Sequence, residues 1–158
     1  MSTASLEKAI PAGDRILLDT TTLAAYLDAT EAVHPVAKHV VEDFVGTGRN
    51  QAVISMITVM ELLVRPMRAT PPGHHTVLAF IRNQANLTAV DVDLQVAQDA
   101  AFLRAAHRFA PPDALVVGTG LAAQVGHLVT NDHAWQGRLA PMVDWIGVCI
   151  LAKHLPFP

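Results

Sequence analysis

The sequence is poor in cysteine, in aromatic side chains and in charge. Its 158 residues include a single cysteine, Cys149, which excludes an internal disulfide, a zinc knuckle and a CxxC redox pair. Aromatic residues make up 5% of the chain and charged residues 16%, whereas about 25% charge is typical of soluble domains. Because hydrophobic residues make up 51%, the chain has enough apolar surface for a core, and disorder is a poor interpretation.

Positive charge is also scarce. The chain has 11 Lys and Arg residues against 14 Asp and Glu residues, which gives a formal net charge of −3 at pH 7. This balance excludes a uniformly basic surface that binds nucleic acid by charge alone. It leaves open a nucleic acid that is held through a cation on an acidic site.

Long apolar segments are absent as well. Residues 1–13 lack the hydrophobic region of a secretory signal, and the uncharged stretch Ala114–Thr130 contains three glycines. That stretch predicts a buried helix and strand instead of a membrane span, so we expect no membrane association and a cytoplasmic location. The length predicts one domain over residues 15–152, with a loose lead-in at 1–14 and a short tail at 153–158.

Short apolar runs alternate with helical patterns along the chain. The predicted strands are Ile16–Leu18, Ala52–Ser55, Leu87–Val92, Leu128–Thr130 and one strand within Met142–Ile150. Helical patterns lie between them, and Pro66 is expected to stop one of these helices. This alternation predicts the α/β class, with a mostly parallel central sheet flanked by helices.

Two aspartates directly follow predicted strands. Asp19 follows Ile16–Leu18, and Asp132 follows Leu128–Thr130 after one intervening residue. In an open α/β sheet, ligands bind at the carboxyl ends of the strands, so both aspartates are candidate site residues. Each is also well placed to cap a helix after a strand, and the sequence alone does not separate these two roles.

Two further acids stand in apolar surroundings. Glu61 lies in the segment Met56–Val64, which has little polar surface, so we expect its carboxylate to be buried and to be paired, hydrogen-bonded or metal-bound. The plain alternative is an ion pair with Arg65 or Arg68. Asp113 is the only charged residue between Arg108 and Asp132, and we expect it at a buried edge near a helix N-terminus.

Four acids from four separate elements can meet at one edge of a sheet. Such a cluster repels itself unless cations fill it. Ligands that are all oxygen atoms suit Mg²⁺ or Mn²⁺ and do not suit zinc. The sequence therefore predicts a site for one of these cations.

Four segments of the chain resemble the motifs of the PIN-domain ribonucleases, and within them the VapC-type toxins of toxin–antitoxin pairs. In family order, these segments are Leu17–Thr21, Ser55–Leu62, Leu103-Arg104 with Pro112–Leu115, and Leu128–Asp132. Each motif is weak by itself, and their order is more specific. One departure is that Gly118 and Gly120 stand where relatives more often carry alanine, which predicts a looser helix.

The resemblance implies a metal-dependent ribonuclease. Its metal-binding and catalytic residues would be Asp19, Glu61, Asp113 and Asp132, with Mg²⁺ or Mn²⁺ as the cofactor. Asp19 and Asp113 would be the main direct ligands, Asp132 would act partly through water, and Glu61 would orient the attacking water. Supporting residues would be Thr20, Thr130, Asn131 and Arg104, with Arg65 and Arg108 as further candidates for contacts with the RNA backbone.

The expected partners are RNA, a second copy of the chain and a cognate antitoxin that covers the acidic groove. An alternative is a non-catalytic PIN-like module that binds RNA or protein. A phosphatase of the haloacid-dehalogenase type is a poorer match, because it needs a second acid where this chain has Thr21. Trp135 and Trp145 are expected to be core or rim aromatic residues.

Overall fold

The computed structural model describes residues 3–157. Its centre is a five-stranded sheet in which every pair of neighbouring strands is parallel, with the order β3-β2-β1-β4-β5. The strands are β1 (Ile16–Leu18), β2 (Ala52–Ser55), β3 (Leu87–Val90), β4 (His127–Thr130) and β5 (Gly147–Ile150). The predicted α/β class and parallel sheet are confirmed.

Helices connect the strands and cover both faces of the sheet. They are α1 (Thr3–Ala9), α2 (Thr20–Leu27), α3 (His34–Lys38), α4 (Met56–Arg68), α5 (His74–Asn83), α6 (Leu94–His107), α7 (Pro111–Ala122) and α8 (Ala134–Arg138). Helix α3 continues as a π-helix over His39–Gly46, and short 3-10 turns occupy Ala140–Met142 and Leu151–His154.

The sheet divides the hydrophobic core into two layers. Strand β1 is fully buried because its side chains alternate between these layers: Ile16 and Leu18 belong to one and Leu17 to the other. The first layer packs under α1 to α5, and the second packs under α6, α7 and α8. The central strand is thus held on both faces, which fixes the position of the residue that follows it.

Helices α6 and α7 approach each other closely at Gly118. A Cβ atom at this position would lie 3.0 Å from the backbone nitrogen of Ala100 and 3.0 Å from the backbone oxygen of Val96. At Gly120, a Cβ atom would lie 2.9 Å from a methyl group of Leu17. The two glycines therefore allow tight packing of α7, and the expectation that they loosen this helix is wrong.

Two expectations about the ends of the domain are corrected. Residues 3–9 form α1 instead of a loose lead-in, and Leu6 is completely buried because it packs in the first core layer. At the other end, His154 is buried, and its ring nitrogen lies 3.1 Å from the hydroxyl oxygen of Ser5. Phe157 also packs against the first layer, so both terminal segments contribute to the core.

Helix α4 does not end at Pro66. It continues to Arg68, and the proline lies within the helix. The sequence prediction failed here because a proline in the last turn removes only one of the helical hydrogen bonds. Among the helices of residues 3–157, none is long and apolar enough to cross a membrane.

Candidate acidic active site

The four acids line a single pocket of about 160 Å³ at the carboxyl edge of the sheet. Asp19 follows β1 and Asp132 follows β4, and these two strands are neighbours at the point where the strand order reverses. Helix α4 contributes Glu61, and the first turn of α7 contributes Asp113. Residues that are far apart in sequence therefore meet at the position where open parallel sheets bind ligands.

Asp19 is the buried anchor of the pocket. One carboxylate oxygen accepts hydrogen bonds from the backbone nitrogens of Thr21 (3.0 Å) and Thr22 (3.2 Å) and from the Thr21 hydroxyl group (2.7 Å). The residue is only 5% exposed, and this burial raises the pKa of its carboxyl group. Asp19 is thus the N-cap of α2, and the same residue lines the acidic pocket, so capping does not exclude the other role that the sequence left open.

The second carboxylate oxygen of Asp19 faces the interior. It accepts hydrogen bonds from the Thr130 hydroxyl group at 2.6 Å and from the Trp135 indole nitrogen at 3.1 Å. The predicted core location of Trp135 is confirmed, since its exposure is 4%. Its contact with Asp19 was missed, because the sequence gives no sign of what a buried indole N–H donates to.

Asp113 and Asp132 both face an arginine that sequence reasoning missed. A guanidinium nitrogen of Arg138 lies 3.4 Å from a carboxylate oxygen of Asp113 and 3.5 Å from one of Asp132. The Asp113 side chain is 28% exposed, so it lies at a partly open edge and not at a buried one. The other oxygen of Asp132 accepts a hydrogen bond from the backbone nitrogen of Ala134 at 2.9 Å, which fixes the entry into α8.

Glu61 lies on the open side of the pocket. The expectation of a buried carboxylate is wrong, because α4 turns this face to solvent. Arg65 does not pair with Glu61 in the structure: it lies 3.8 Å from Asp28. Glu61 instead accepts a short hydrogen bond from the hydroxyl group of Thr20, the residue that follows Asp19. This bond links the second acid to the loop that carries the first.

The remaining supporting residues have different positions. Thr130 accepts a hydrogen bond from the backbone nitrogen of Asp132 at 3.0 Å while it donates to Asp19. The side-chain oxygen of Asn131 accepts from the backbone nitrogen of Ala152 at 3.1 Å and is therefore used structurally. Arg104 does not line the acidic pocket but an adjacent shallow cleft.

Arg108 connects these two regions. It lines the shallow cleft together with Arg104, and it also lines a neighbouring pocket together with Asp113 and Arg138. Arg108 therefore lines the same pocket as the third acid, and Arg104 lines the cleft on the other side of Arg108. Such an arrangement can contact the phosphates of a nucleic acid next to the acidic pocket.

The donor chemistry of the pocket fits Mg²⁺ or Mn²⁺, because its ligating atoms are carboxylate and hydroxyl oxygens. Within residues 3–157, however, no three Asp, Glu, His or Cys side chains gather closely enough to form a complete metal-binding group. Asp113 and Asp132 face Arg138 instead. The pocket thus offers suitable oxygen ligands, but the contacts of Asp113 and Asp132 with Arg138 would have to change before a cation could bind.

The molecule is thus an α/β domain that carries an acidic pocket at the switch point of a parallel sheet. The model of the PIN domain family matches residues 16–139. The chain belongs to the PIN-domain family. Comparison with curated proteins gives no match.

Several solved structures have the same fold. A structure of VapBC2 from Rickettsia felis bound to a DNA fragment from its promoter matches with a TM-score of 0.67 at 15% identity, covering 86% of this chain and 98% of that chain. A toxin–antitoxin complex from Klebsiella pneumoniae matches with a TM-score of 0.62 at 22% identity, covering 86% and 97%. VapC20 from Mycobacterium tuberculosis, described as a toxin that cleaves the sarcin-ricin loop, matches with a TM-score of 0.61 at 17% identity, covering 77% and 93%.

Proposed function

We propose that this chain is a ribonuclease dependent on Mg²⁺ or Mn²⁺ and acts as the toxin of a toxin–antitoxin pair. The observation that carries the proposal is the meeting of Asp19, Glu61, Asp113 and Asp132 in one pocket of a PIN domain. The description of VapC20 as a toxin that cleaves the sarcin-ricin loop supports the substrate class. A cytoplasmic location follows from such a role.

In this proposal the acids divide the work. Asp19, Asp113 and Asp132 would hold the cation, which would lower the pKa of a water molecule and neutralise charge on the phosphodiester. Glu61 is the exposed acid, and the hydroxyl group of Thr20 orients its carboxylate. Glu61 therefore positions the attacking water and accepts its proton, which is general-base catalysis.

The RNA backbone lies along the basic side of the pocket. Arg108 and Arg104 border the clefts next to Asp113 and supply phosphate contacts. Arg65 is on the other side, where it lines an apolar groove together with Glu61. Since these arginines are few and the net charge is negative, the affinity for RNA depends on the cation as well as on the arginines.

The proposed protein partners are a second copy of the chain and an antitoxin. Helix α4 exposes four apolar side chains on one side, namely Met56, Met60, Val64 and Met67, with exposures between 38% and 55%. An apolar patch of this kind usually marks an interface, and it supports a homodimer through α4. The fold shared with toxin–antitoxin complexes supports an antitoxin segment that covers the acidic groove.

A second candidate function is a non-catalytic PIN-like module that binds RNA or protein. The contact of Arg138 with Asp113 and Asp132 favours it, because a permanent arginine in this position would replace the cation. RNA cleavage by the purified chain, measured with Mn²⁺ and with EDTA, separates the two functions. Cleavage that needs Mn²⁺ supports the ribonuclease, and a lack of cleavage with every RNA tested together with retained RNA binding supports the module.

A further inference from the structure

Arg138 occupies the space between the third and fourth acids of the pocket. Its guanidinium nitrogen lies 3.4 Å from Asp113 and 3.5 Å from Asp132. In both pairs the same nitrogen contacts the acid, so one cation bridges two carboxylates from different elements. Asp113 and Asp132 are also two of the acids that would hold the cation of the proposed function.

The guanidinium group of Arg138 lies over the ring of the buried residue Trp135. Its guanidinium carbon lies 5.2 Å from the centre of the Trp135 ring, which is within reach of a cation–π contact. Trp135 is three residues earlier on α8, and its indole nitrogen donates to Asp19. The helix thereby directs an indole N–H to the first acid and a guanidinium group to the third and fourth.

Arg138 is nevertheless free to leave. Its side chain is 42% exposed, and those of Asp113 and Asp132 are 28% and 40% exposed. Ion pairs that are open to water in this way are weak, so a divalent cation can compete with them.

We propose that Arg138 is a built-in counter-ion of the acidic pocket, and that a divalent cation must displace it from Asp113 and Asp132 in order to bind. The inference rests on the proposed function, because it assumes that the pocket takes a cation. It explains why these carboxylates do not gather into a metal-binding group in the structure. Arg138 thus sets the concentration of cation at which the pocket fills.

The test measures Mn²⁺ binding directly instead of activity. Mn²⁺ quenches tryptophan fluorescence, and Trp135 lines the pocket. The measurement uses a Trp145→Phe background, because Trp145 is 58% exposed and would add its own signal. Metal-free protein is titrated with MnCl₂, and the melting temperature is recorded at each concentration.

Three forms of Arg138 and one control are compared. Arg138→Gln should bind Mn²⁺ roughly tenfold more tightly than the parent, because the cation no longer has to break two partly exposed ion pairs in order to bind. Arg138→Lys should lie between them, because it keeps the charge without the planar fork. The control Arg82→Gln makes the same change in charge at an exposed position just before β3, at the opposite edge of the sheet, and should leave the affinity unchanged.

Stability provides a second readout. Without metal, Arg138→Gln should melt at a lower temperature, because the acids lose their counter-ion. Its gain in melting temperature on addition of Mn²⁺ should exceed that of the parent. If Arg138→Gln binds Mn²⁺ no more tightly than a parent that does bind it, the counter-ion inference is wrong and the metal site stands. If neither protein binds Mn²⁺, the metal site of the proposed function is wrong, and the inference fails with it.

Discussion

Substituting Asn for Asp19 and for Asp113 should abolish cleavage in both cases but change the stability of the metal-free protein very differently. Both substitutions remove a carboxylate from the pocket, so RNA cleavage should fall by orders of magnitude. The stabilisation by Mn²⁺ should shrink in both variants. The two positions differ in what else the carboxylate does: Asp19 accepts five hydrogen bonds, whereas Asp113 has a single ion pair.

At Asp19, an amide group cannot replace the carboxylate. If its NH₂ group faces the interior, it opposes the indole N–H of Trp135, which then loses its acceptor. If the amide is turned round, the backbone N–H groups of Thr21 and Thr22 lose theirs. One orphaned buried donor costs about 1–3 kcal/mol, and removal of a buried charge offsets part of this. We therefore expect a loss of about 2 kcal/mol, or roughly 4–8 °C in melting temperature for a domain of this size.

At Asp113, the substitution removes an ion pair that is partly open to solvent. Arg138 keeps its contact with Asp132, and Asn remains acceptable in the first turn of α7. Exposed ion pairs contribute about 0–1 kcal/mol, so the metal-free variant should lie within about 1 kcal/mol of the parent.

Urea unfolding in EDTA and RNA cleavage in Mn²⁺ measure the two effects separately. An Asp19→Asn protein as stable as the parent would show that the five hydrogen bonds do not hold the loop. A fully active Asp113→Asn protein with a normal response to Mn²⁺ would end the catalytic assignment of Asp113. In that case Asp113 would merely be an acid in the first turn of α7, where loss of its charge costs only about 0.3–1 kcal/mol.

Three further predictions concern packing, pH and assembly. Gly118→Ala should destabilise the protein by about 1 kcal/mol in urea unfolding, because the added methyl group meets the backbone of Ala100; Gly137→Ala, which has open space around it, should not. Burial lowers the pKa of His154 below its usual value of about 6.5, so the stabilisation by its neutral ring is complete above that pH and is lost as the pH falls below it. The variant His154→Gln should therefore flatten the dependence of the melting temperature on pH in this window. An unchanged slope would refute this assignment to His154. Met60→Glu should convert the proposed dimer to monomers in light scattering, and a parent that is strictly monomeric at micromolar concentration would contradict the dimer.

The sheet and the positions of three acids were predictable from local patterns. Short apolar runs bounded by polar residues identified the strands, and the ends of two strands identified Asp19 and Asp132. Asp113 stood out because no other charge lies near it in the sequence. These signals depend only on neighbouring residues in the sequence, so they can be recognised without the tertiary structure.

The contacts that complete the pocket were not predictable, because they depend on tertiary packing. Nothing in the sequence distinguishes Arg138 from an arginine on a solvated helix face, and its role appears only once α8 lies beside α7. Glu61 was expected to be buried because its neighbours are apolar. In the structure only one side of α4 is buried, through residues such as Thr58 and Leu62, whereas Glu61 lies on the exposed side together with Met60 and Val64.

The hydrogen bond from the backbone of Ala152 to the side chain of Asn131 connects the C-terminal segment to the acidic pocket. Asn131 directly precedes the fourth acid, and the turn that contains Ala152 also contains His154, whose ring reaches Ser5 of the first helix. A protein trimmed to the predicted domain, residues 15–152, would keep all four acids and the Ala152 donor, but it would lose both His154 and Ser5, whose contact anchors this turn to the first helix. The hydrogen bond to Asn131, which precedes the fourth acid, would then come from the last residue of a chain whose end is no longer anchored.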